Sequence, residues 1–133
     1  MYKVLKVDKC ERTSFVDLLN LDTETQDLEC FDDSSVVSDD NFKFIEEGKI
    51  YDCKLELFGE FEQEKTDSST EVTIIEKGVL LGNTKYFKVL INSDVYYIRE
   101  SDAENIEVKE KMYYDFTRKD LVQVDNVVHA DRL

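Results

Sequence analysis

The chain has 133 residues and a formal net charge of −14, from 31 acidic and 17 basic side chains. This length is typical of one folded domain, so residues 1–133 are expected to form a single unit. A chain this acidic repels nucleic-acid phosphates and anionic membrane surfaces, which argues against direct binding to either. The charge favours a basic protein as the partner.

Hydrophobic residues make up 41% of the sequence and include eight Phe and seven Tyr, enough to build a core. No apolar run reaches the roughly 18 residues of a membrane span, and the first residues lack the apolar stretch of a signal peptide. Three cysteines, Cys10, Cys30 and Cys53, fit neither a disulfide framework nor a paired zinc motif. We therefore expect reduced thiols and a cytoplasmic location.

Alternation of apolar and polar residues predicts strands along most of the chain. The clearest strand covers residues 50–58, where Cys53 shares the inward face with Leu55 and Leu57. Cys53 is accordingly expected to be buried and unpaired. Shorter β-rich runs at residues 2–7, 15–21, 72–75 and 79–81 bring the prediction to at least seven strands.

Two hairpins are predicted in the second half of the chain. In the first, residues 86–91 and 95–99 flank a loop at Ser93 and Asp94, which places Lys88 opposite Arg99. In the second, residues 112–116 and 121–124 flank a loop at 117–120. Each contains a Tyr-Tyr pair, and since neighbouring side chains on a strand point to opposite faces, we expect Tyr97 and Tyr114 to lie outward.

The remaining patterns complete an all-β prediction. A capping-box pattern at residues 101–104 predicts one helical turn, and Ile106 and Val108 alternate with charges as in a strand. An acidic loop at 32–41 and a polar loop at 62–71 separate the strands. Short strands with polar turns favour a small barrel of the OB-like or SH3-like class with long polar loops, with a β-sandwich as the alternative.

No catalytic motif is recognisable in the sequence. His129 is the only histidine, which excludes a His-rich zinc site, and its place in the last segment of the sequence predicts a surface position without a catalytic role. The acidic loop lacks the ligand spacing, glycine and final glutamate of an EF-hand. The four glycines are dispersed, so no phosphate-cradling loop is present. We predict no catalytic residue, no metal ligand and no cofactor.

The most distinctive segment is acidic. Residues 22–47 contain ten acids and one base, Lys43, and therefore carry −9. This segment either keeps the protein soluble or forms a docking surface that steers a basic partner. The candidate partner-binding residues are Asp32, Asp33, Asp39, Asp40, Phe42, Tyr97 and Tyr114. The sequence thus predicts a non-catalytic interaction domain; the alternatives are an inhibitor or immunity-type mimic of nucleic acid and a metal-dependent enzyme using clustered carboxylates.

Overall fold

The computed structural model describes residues 1–38 and 41–133 and consists mainly of β-strands. The strands are β1 (Tyr2–Cys10), β2 (Thr13–Asn20), β3 (Gln26–Asp32), β4 (Ile50–Tyr51), β5 (Cys53–Glu62), β6 (Thr70–Leu81), β7 (Thr84–Ile91), β8 (Asp94–Arg99), β9 (Lys111–Val124) and β10 (Val127–Val128). One short helix, α1 (Ser34–Val37), and two 3-10 turns, Glu100–Ala103 and Ala130–Arg132, complete the described elements. The all-β prediction is confirmed.

The ten described strands belong to one mixed sheet. Nine of them have the order β4-β1-β2-β3-β9-β5-β8-β7-β6, and β10 lies off this path and pairs with β9. The pairing also returns from β6 to β9, so β9, β5, β8, β7 and β6 form a closed circuit of hydrogen-bonded neighbours. The antiparallel strands β1, β2 and β3 extend from this circuit, because β3 pairs in parallel with β9 at Phe31 and Asp120. Strand β9 therefore belongs to both parts of the sheet.

The predicted hairpin between residues 112–116 and 121–124 is wrong, because these residues belong to the single strand β9. The strand pairs with β5 from Tyr113 to Val124. Its register skips Thr117 and Val122, and each extra residue is a β-bulge that reverses which side chains face inward. The polar residues 117–120 thus lie within a strand whose alternation is interrupted, and in the sequence they resemble a loop.

The predicted turn of the β7–β8 hairpin is displaced by one residue. The turn residues are Asn92 and Ser93, and Asn92 has a φ of 56°. Asn tolerates this left-handed conformation better than most residues. Lys88 consequently pairs with Tyr97 instead of Arg99, so the like-charge pair of the predicted register does not form.

Other predicted boundaries also change. The first two strands extend through the polar residues 8–10 and 13–14 and meet at a tight turn in which Glu11 has a φ of 56°. The runs at 72–75 and 79–81 form one strand, β6, which is irregular near Gly78. The helical turn near residue 101 is confirmed at Glu100–Ala103, whereas the strand expected at Ile106 and Val108 is wrong.

The two predicted loops are shorter than expected. Residue Asp32 ends β3, and the one-turn helix α1 follows within the segment 32–41. In the segment 62–71, only residues 63–69 lie between strands, because Glu62 ends β5 and Thr70 begins β6. Polar composition alone did not reveal that strands continue into both segments.

The core has two parts, one on each face of β5. The main cluster contains the inward side chains of Cys53, Leu55 and Leu57, and Cys53 is confirmed as buried and unpaired. Burial raises the pKa of its thiol to about 12. The second cluster is small and consists of Leu81, Tyr86, Tyr97 and Val122. No helix in the described ranges has the length and apolar character needed to cross a membrane.

Candidate protein-binding surface

The structure places most of the predicted partner-binding residues inside the protein. Asp32 is buried and accepts a hydrogen bond from the Ser34 amide at 2.9 Å, so it orders the start of α1. Asp33 is partly exposed and contacts His129. Asp39 and Asp40 lie outside the described residues. Phe42 is buried against the edge of the His129 ring.

The expectation that Tyr97 and Tyr114 point outward is wrong. Both faces of β8 are covered, so Tyr96 packs in the main core while Tyr97 packs against Tyr86 in the second cluster. Tyr114 is fully buried, and its hydroxyl donates to Asp102 at 2.8 Å, with the Leu57 carbonyl oxygen 3.2 Å away as a second acceptor for the same proton. Neither ring is presented at the surface.

His129 is buried, contrary to the expected surface position. Its Nδ1 accepts the Asp131 amide at 3.1 Å, and its Nε2 lies 2.7 Å from Asp33 Oδ1. An acceptor at Nδ1 requires the proton on Nε2, which then donates to the carboxylate. Both ring nitrogens are therefore engaged in positioning the last residues of the chain against α1.

The acids of the 22–47 segment that the structure describes do not form one continuous loop surface. Asp27 is completely buried, where it accepts hydrogen bonds from Lys119 at 2.5 Å and from the Tyr96 hydroxyl at 2.7 Å. Asp22 is exposed in the β2–β3 turn, and Glu46 and Glu47 are exposed before β4. Much of the local charge is therefore compensated or dispersed.

The outer face of β5 and β9 is the face that points away from the main core. One half of it is covered by other residues of the chain. Here Glu56 accepts hydrogen bonds from the Tyr86 hydroxyl, from Arg132 Nη2 at 3.3 Å and from Arg99 Nε at 3.2 Å. Arg132 Nε also donates to the Tyr86 oxygen at 2.8 Å. Arg132 belongs to the 3-10 turn Ala130–Arg132, which brings its side chain onto this network. We call this part of the outer face the covered half.

Burial and the neighbouring carboxylate both raise the pKa of Tyr86, so its hydroxyl stays protonated and remains a donor to Glu56. With two arginines and a phenol, the buried Glu56 carboxylate is compensated by charge and by hydrogen bonds. The Glu56 side chain is only 1% exposed, so this network is closed to a ligand. We assign it a structural role.

The other half of the same outer face is exposed and carries a continuous aromatic row, defined as Phe15, Phe31, Arg118 and Phe58. The Phe15 and Phe31 rings are 5.5 Å apart. The Arg118 guanidinium lies 4.7 Å from the Phe31 ring and 4.5 Å from the Phe58 ring. Four strands contribute, because Phe15 pairs with Phe31, Phe31 with Asp120, and Phe58 with Arg118.

The apolar side chains of this open half are substantially exposed. Phe15 is 41% exposed, Phe58 is 49% exposed, and nearby Leu28 is 54% exposed. A cleft of about 340 Å³ lies between β3 and β9 and is lined by Leu28, Phe116 and Thr117 together with parts of the row. Contiguous exposed aromatic surface of this kind is typical of interaction sites.

Two ion pairs hold the basic side chains of the open half in place. Arg118 binds Asp120 through two hydrogen bonds, at 2.5 and 3.0 Å, and Lys119 turns inward to Asp27. Burial raises the pKa of Asp120, and the Arg118 guanidinium opposes this shift. The Glu29 carboxylate at the cleft has no ion-pair partner in the part of the chain that is described, so the local charge is negative.

Gly59 lies where the backbones of the paired strands β5 and β9 approach each other closely, beside the aromatic row. A Cβ at Gly59 would overlap the Asp115 carbonyl oxygen and the Phe116 backbone. Only glycine permits this approach, which occurs at the Thr117 bulge and sets Phe58 over Arg118.

No member of the aromatic row is among the partner-binding residues that the sequence predicts. A signal was present, because Phe58 shares strand parity with Lys54 and Glu56, and Phe15 shares it with Asp17. An aromatic residue on the polar face of a strand is a candidate for exposure. The contribution of Arg118 depends on the Thr117 bulge, and the sequence pattern does not indicate that bulge.

Within residues 1–38 and 41–133, no group of three or more His, Cys, Asp or Glu side chains has the arrangement to hold a metal ion. The sequence matches no known protein family, and neither a curated protein sequence nor a solved structure is detectably similar to it.

Proposed function

We propose that this protein is a non-catalytic interaction domain that binds a basic protein through the aromatic row. The observation that carries the proposal is the continuous contact from Phe15 through Phe31 and Arg118 to Phe58, on a face that the described residues leave open. Aromatic residues and arginine are the side chains that contribute most to binding energy at protein interfaces.

The row is also preorganised. Arg118 is held by two hydrogen bonds to Asp120 and by two aromatic rings, so little side-chain freedom remains to be lost on binding. The exposed Phe rings supply apolar area, and the net charge of −14 steers a basic partner toward the protein. Charge thus accelerates encounter, and the row holds the partner.

We also propose that the fold is a small barrel and that the protein resides in the cytoplasm. The closed circuit of β9, β5, β8, β7 and β6 supports a small five-stranded barrel of the OB-like or SH3-like size, extended by β1–β3, over a β-sandwich. Three unpaired thiols support residence in a reducing compartment, the cytoplasm.

The test begins with capture of partners on the immobilised protein, followed by identification and purification of the basic proteins retained at low salt. Affinity is then measured by titration calorimetry for the wild type and for Phe58→Ala. The matched control is Leu80→Ala, because Leu80 is 59% exposed but lies on β6, outside the row.

We expect Phe58→Ala to weaken binding at least tenfold and Leu80→Ala to leave it unchanged. The affinity of the wild type should fall as salt rises. Equal affinities for the two variants would exclude the row as the interface. If no purified basic protein binds the wild type, the proposed function is wrong.

A further inference from the structure

We infer that the partner binds by adding a β-strand to the free edge of β9 at residues 115–119. This inference rests on the proposed function, and it specifies how the same surface recognises its partner. The added strand would be a short extended segment containing apolar and basic residues.

Strand β9 is paired along nearly the whole of one edge but along only part of the other. One edge of β9 pairs with β5 from Tyr113 to Val124. The opposite edge pairs with β6 at residues 111–114, with β3 at Asp120 and with β10 at residues 123–124. On this opposite edge, between β6 and β3, no strand of the described chain pairs with residues 115–119. The sheet therefore has a gap bounded by its own strands at both ends.

The size of this gap suits a short peptide. Five residues at the usual rise of about 3.3 Å per residue give a free edge of about 17 Å, which is the length of a typical strand. An unpaired edge offers backbone N–H and C=O groups that a peptide from another protein can satisfy. Affinity would come from main-chain hydrogen bonds, and side-chain pockets would give specificity.

Two features limit this edge to a specific partner. The Thr117 bulge bends the edge, and Lys119 points inward to Asp27. Bulges and inward charges are devices that discourage indiscriminate edge-to-edge pairing. Thr70 and Phe31 mark the two ends of the gap, which restricts an added strand to about five residues. Because β3 is parallel to β9, Leu28 and Glu29 line the side of the gap opposite β9.

The surroundings of the gap define the chemistry of the occupant. The cleft beside it is lined by Leu28, which is 54% exposed, and by the partly buried Phe116, which favours apolar side chains. The charges of Arg118 and Lys119 are already compensated by Asp120 and Asp27, whereas Glu29 is unpaired. A lysine or arginine of the partner would neutralise Glu29, and the overall charge of −14 favours the same sign.

The experiment uses a displayed library of random twelve-residue peptides, selected on the full-length protein. Each selected peptide is synthesised in its normal form and with single N-methylated peptide bonds, which remove one N–H each. Binding is measured to the wild type, Phe58→Ala, Glu29→Lys and the Leu80→Ala control. Amide hydrogen exchange is followed at residues 115–119 with and without peptide.

We expect selected peptides to be basic and apolar, and to lose at least tenfold in affinity when alternate peptide bonds are N-methylated. Amide exchange at residues 115–119 should slow in the complex, and Glu29→Lys should weaken binding of the basic peptides. Leu80→Ala should bind like the wild type.

Three results would overturn the inference, and they separate it from the proposed function. If Phe58→Ala abolishes binding but every N-methylated peptide still binds, strand addition is wrong and the row remains the interface. If peptides bind Phe58→Ala as well as the wild type, both proposals fail. If no peptide is selected, strand addition is wrong, and binding of a twelve-nucleotide oligothymidylate to the row would then overturn the proposed function as well.

Discussion

The two halves of the outer face of β5 and β9 use similar chemistry with opposite outcomes. In the covered half, Arg132 is only 9% exposed and lies between the Glu56 carboxylate and the Tyr86 hydroxyl. In the open half, Arg118 is 39% exposed and lies between two Phe rings beside the Asp120 carboxylate. The first arginine belongs to the 3-10 turn Ala130–Arg132, which brings it onto the Glu56 network, and no described segment buries the second to the same degree.

This difference separates groups that stabilise the fold from groups available for binding. A charge taken out of water destabilises the protein unless its partners compensate it, so every polar group of the covered half is committed. An arginine stacked at the surface contributes little to stability and stays accessible. The two halves should therefore respond differently to the same substitutions.

The largest contrast is expected from the two arginines. Arg132→Ala removes one partner of the buried Glu56 and should lower the free energy of unfolding by about 3 kcal/mol. Arg118→Ala should lower it by about 1 kcal/mol or less. Urea unfolding of both variants measures the difference. Equal losses would show that the covered half has no special role in stability.

The next largest loss of stability is expected at Gly59, which permits the close approach of β5 and β9 beside the aromatic row. Gly59→Ala should destabilise the protein by about 2–3 kcal/mol, because the new Cβ overlaps the backbone of β9 and forces the strands apart. The control is Gly78→Ala, where nothing lies within 4 Å of the new Cβ and only the φ of 67° is strained. Its cost should be about 1 kcal/mol. A larger loss in Gly78→Ala would contradict the assigned role of Gly59.

A pH effect should distinguish the two halves, because Tyr86 lies in the covered half and the aromatic row contains no tyrosine. Burial also raises the pKa of Tyr2, Tyr96, Tyr97 and Tyr114, so Tyr86 contributes one part of the total loss of stability at alkaline pH. The pKa of Tyr86 in the folded protein is raised above its ordinary value of 10.0, first by burial and then by Glu56. The folded state therefore holds this proton more tightly, so the associated stability is present below pH 10 and is lost as pH rises above it. Tyr86→Phe should flatten the decline in unfolding free energy between pH 9 and 11, whereas Phe58→Ala should leave the slope unchanged. An unchanged slope in Tyr86→Phe would refute this assignment.

The smallest effect on stability is expected in the aromatic row. Since Phe58 is half exposed, Phe58→Ala should change the free energy of unfolding by about 0.5–1 kcal/mol, well below the cost of truncating a buried Phe. The same variant is expected to lose binding. Thermal unfolding monitored by circular dichroism provides the check, and a loss above about 3 kcal/mol would place Phe58 in the core instead.

Local patterns in the sequence were sufficient to predict the β class and some inward faces. The alternation at residues 50–58 correctly identified Cys53, Leu55 and Leu57 as core residues, because β5 keeps a regular period of two. The same reasoning failed for β9, where bulges at Thr117 and Val122 reverse the period twice. Bulges depend on pairing with a distant strand, so they leave little local signal.

The site residues were harder to predict for a related physical reason. Tyr97 is buried because the small second cluster covers the outer face of β8, and that cover comes from residues distant in the sequence. His129 is buried for the same reason, since Asp33 and Phe42 meet it only in the folded chain. Charge composition located the acids but did not show that Asp27 is paired inside the protein.

The measurement that tests the central claim most directly is an amide NMR titration of the labelled protein with the purified basic partner. We predict that the largest shifts occur at Phe15, Phe31, Phe58 and residues 115–119, while His129 and Arg132 in the covered half stay unchanged. Shifts centred on the exposed acids near Asp22 and Glu46, with none in the aromatic row, would contradict the account.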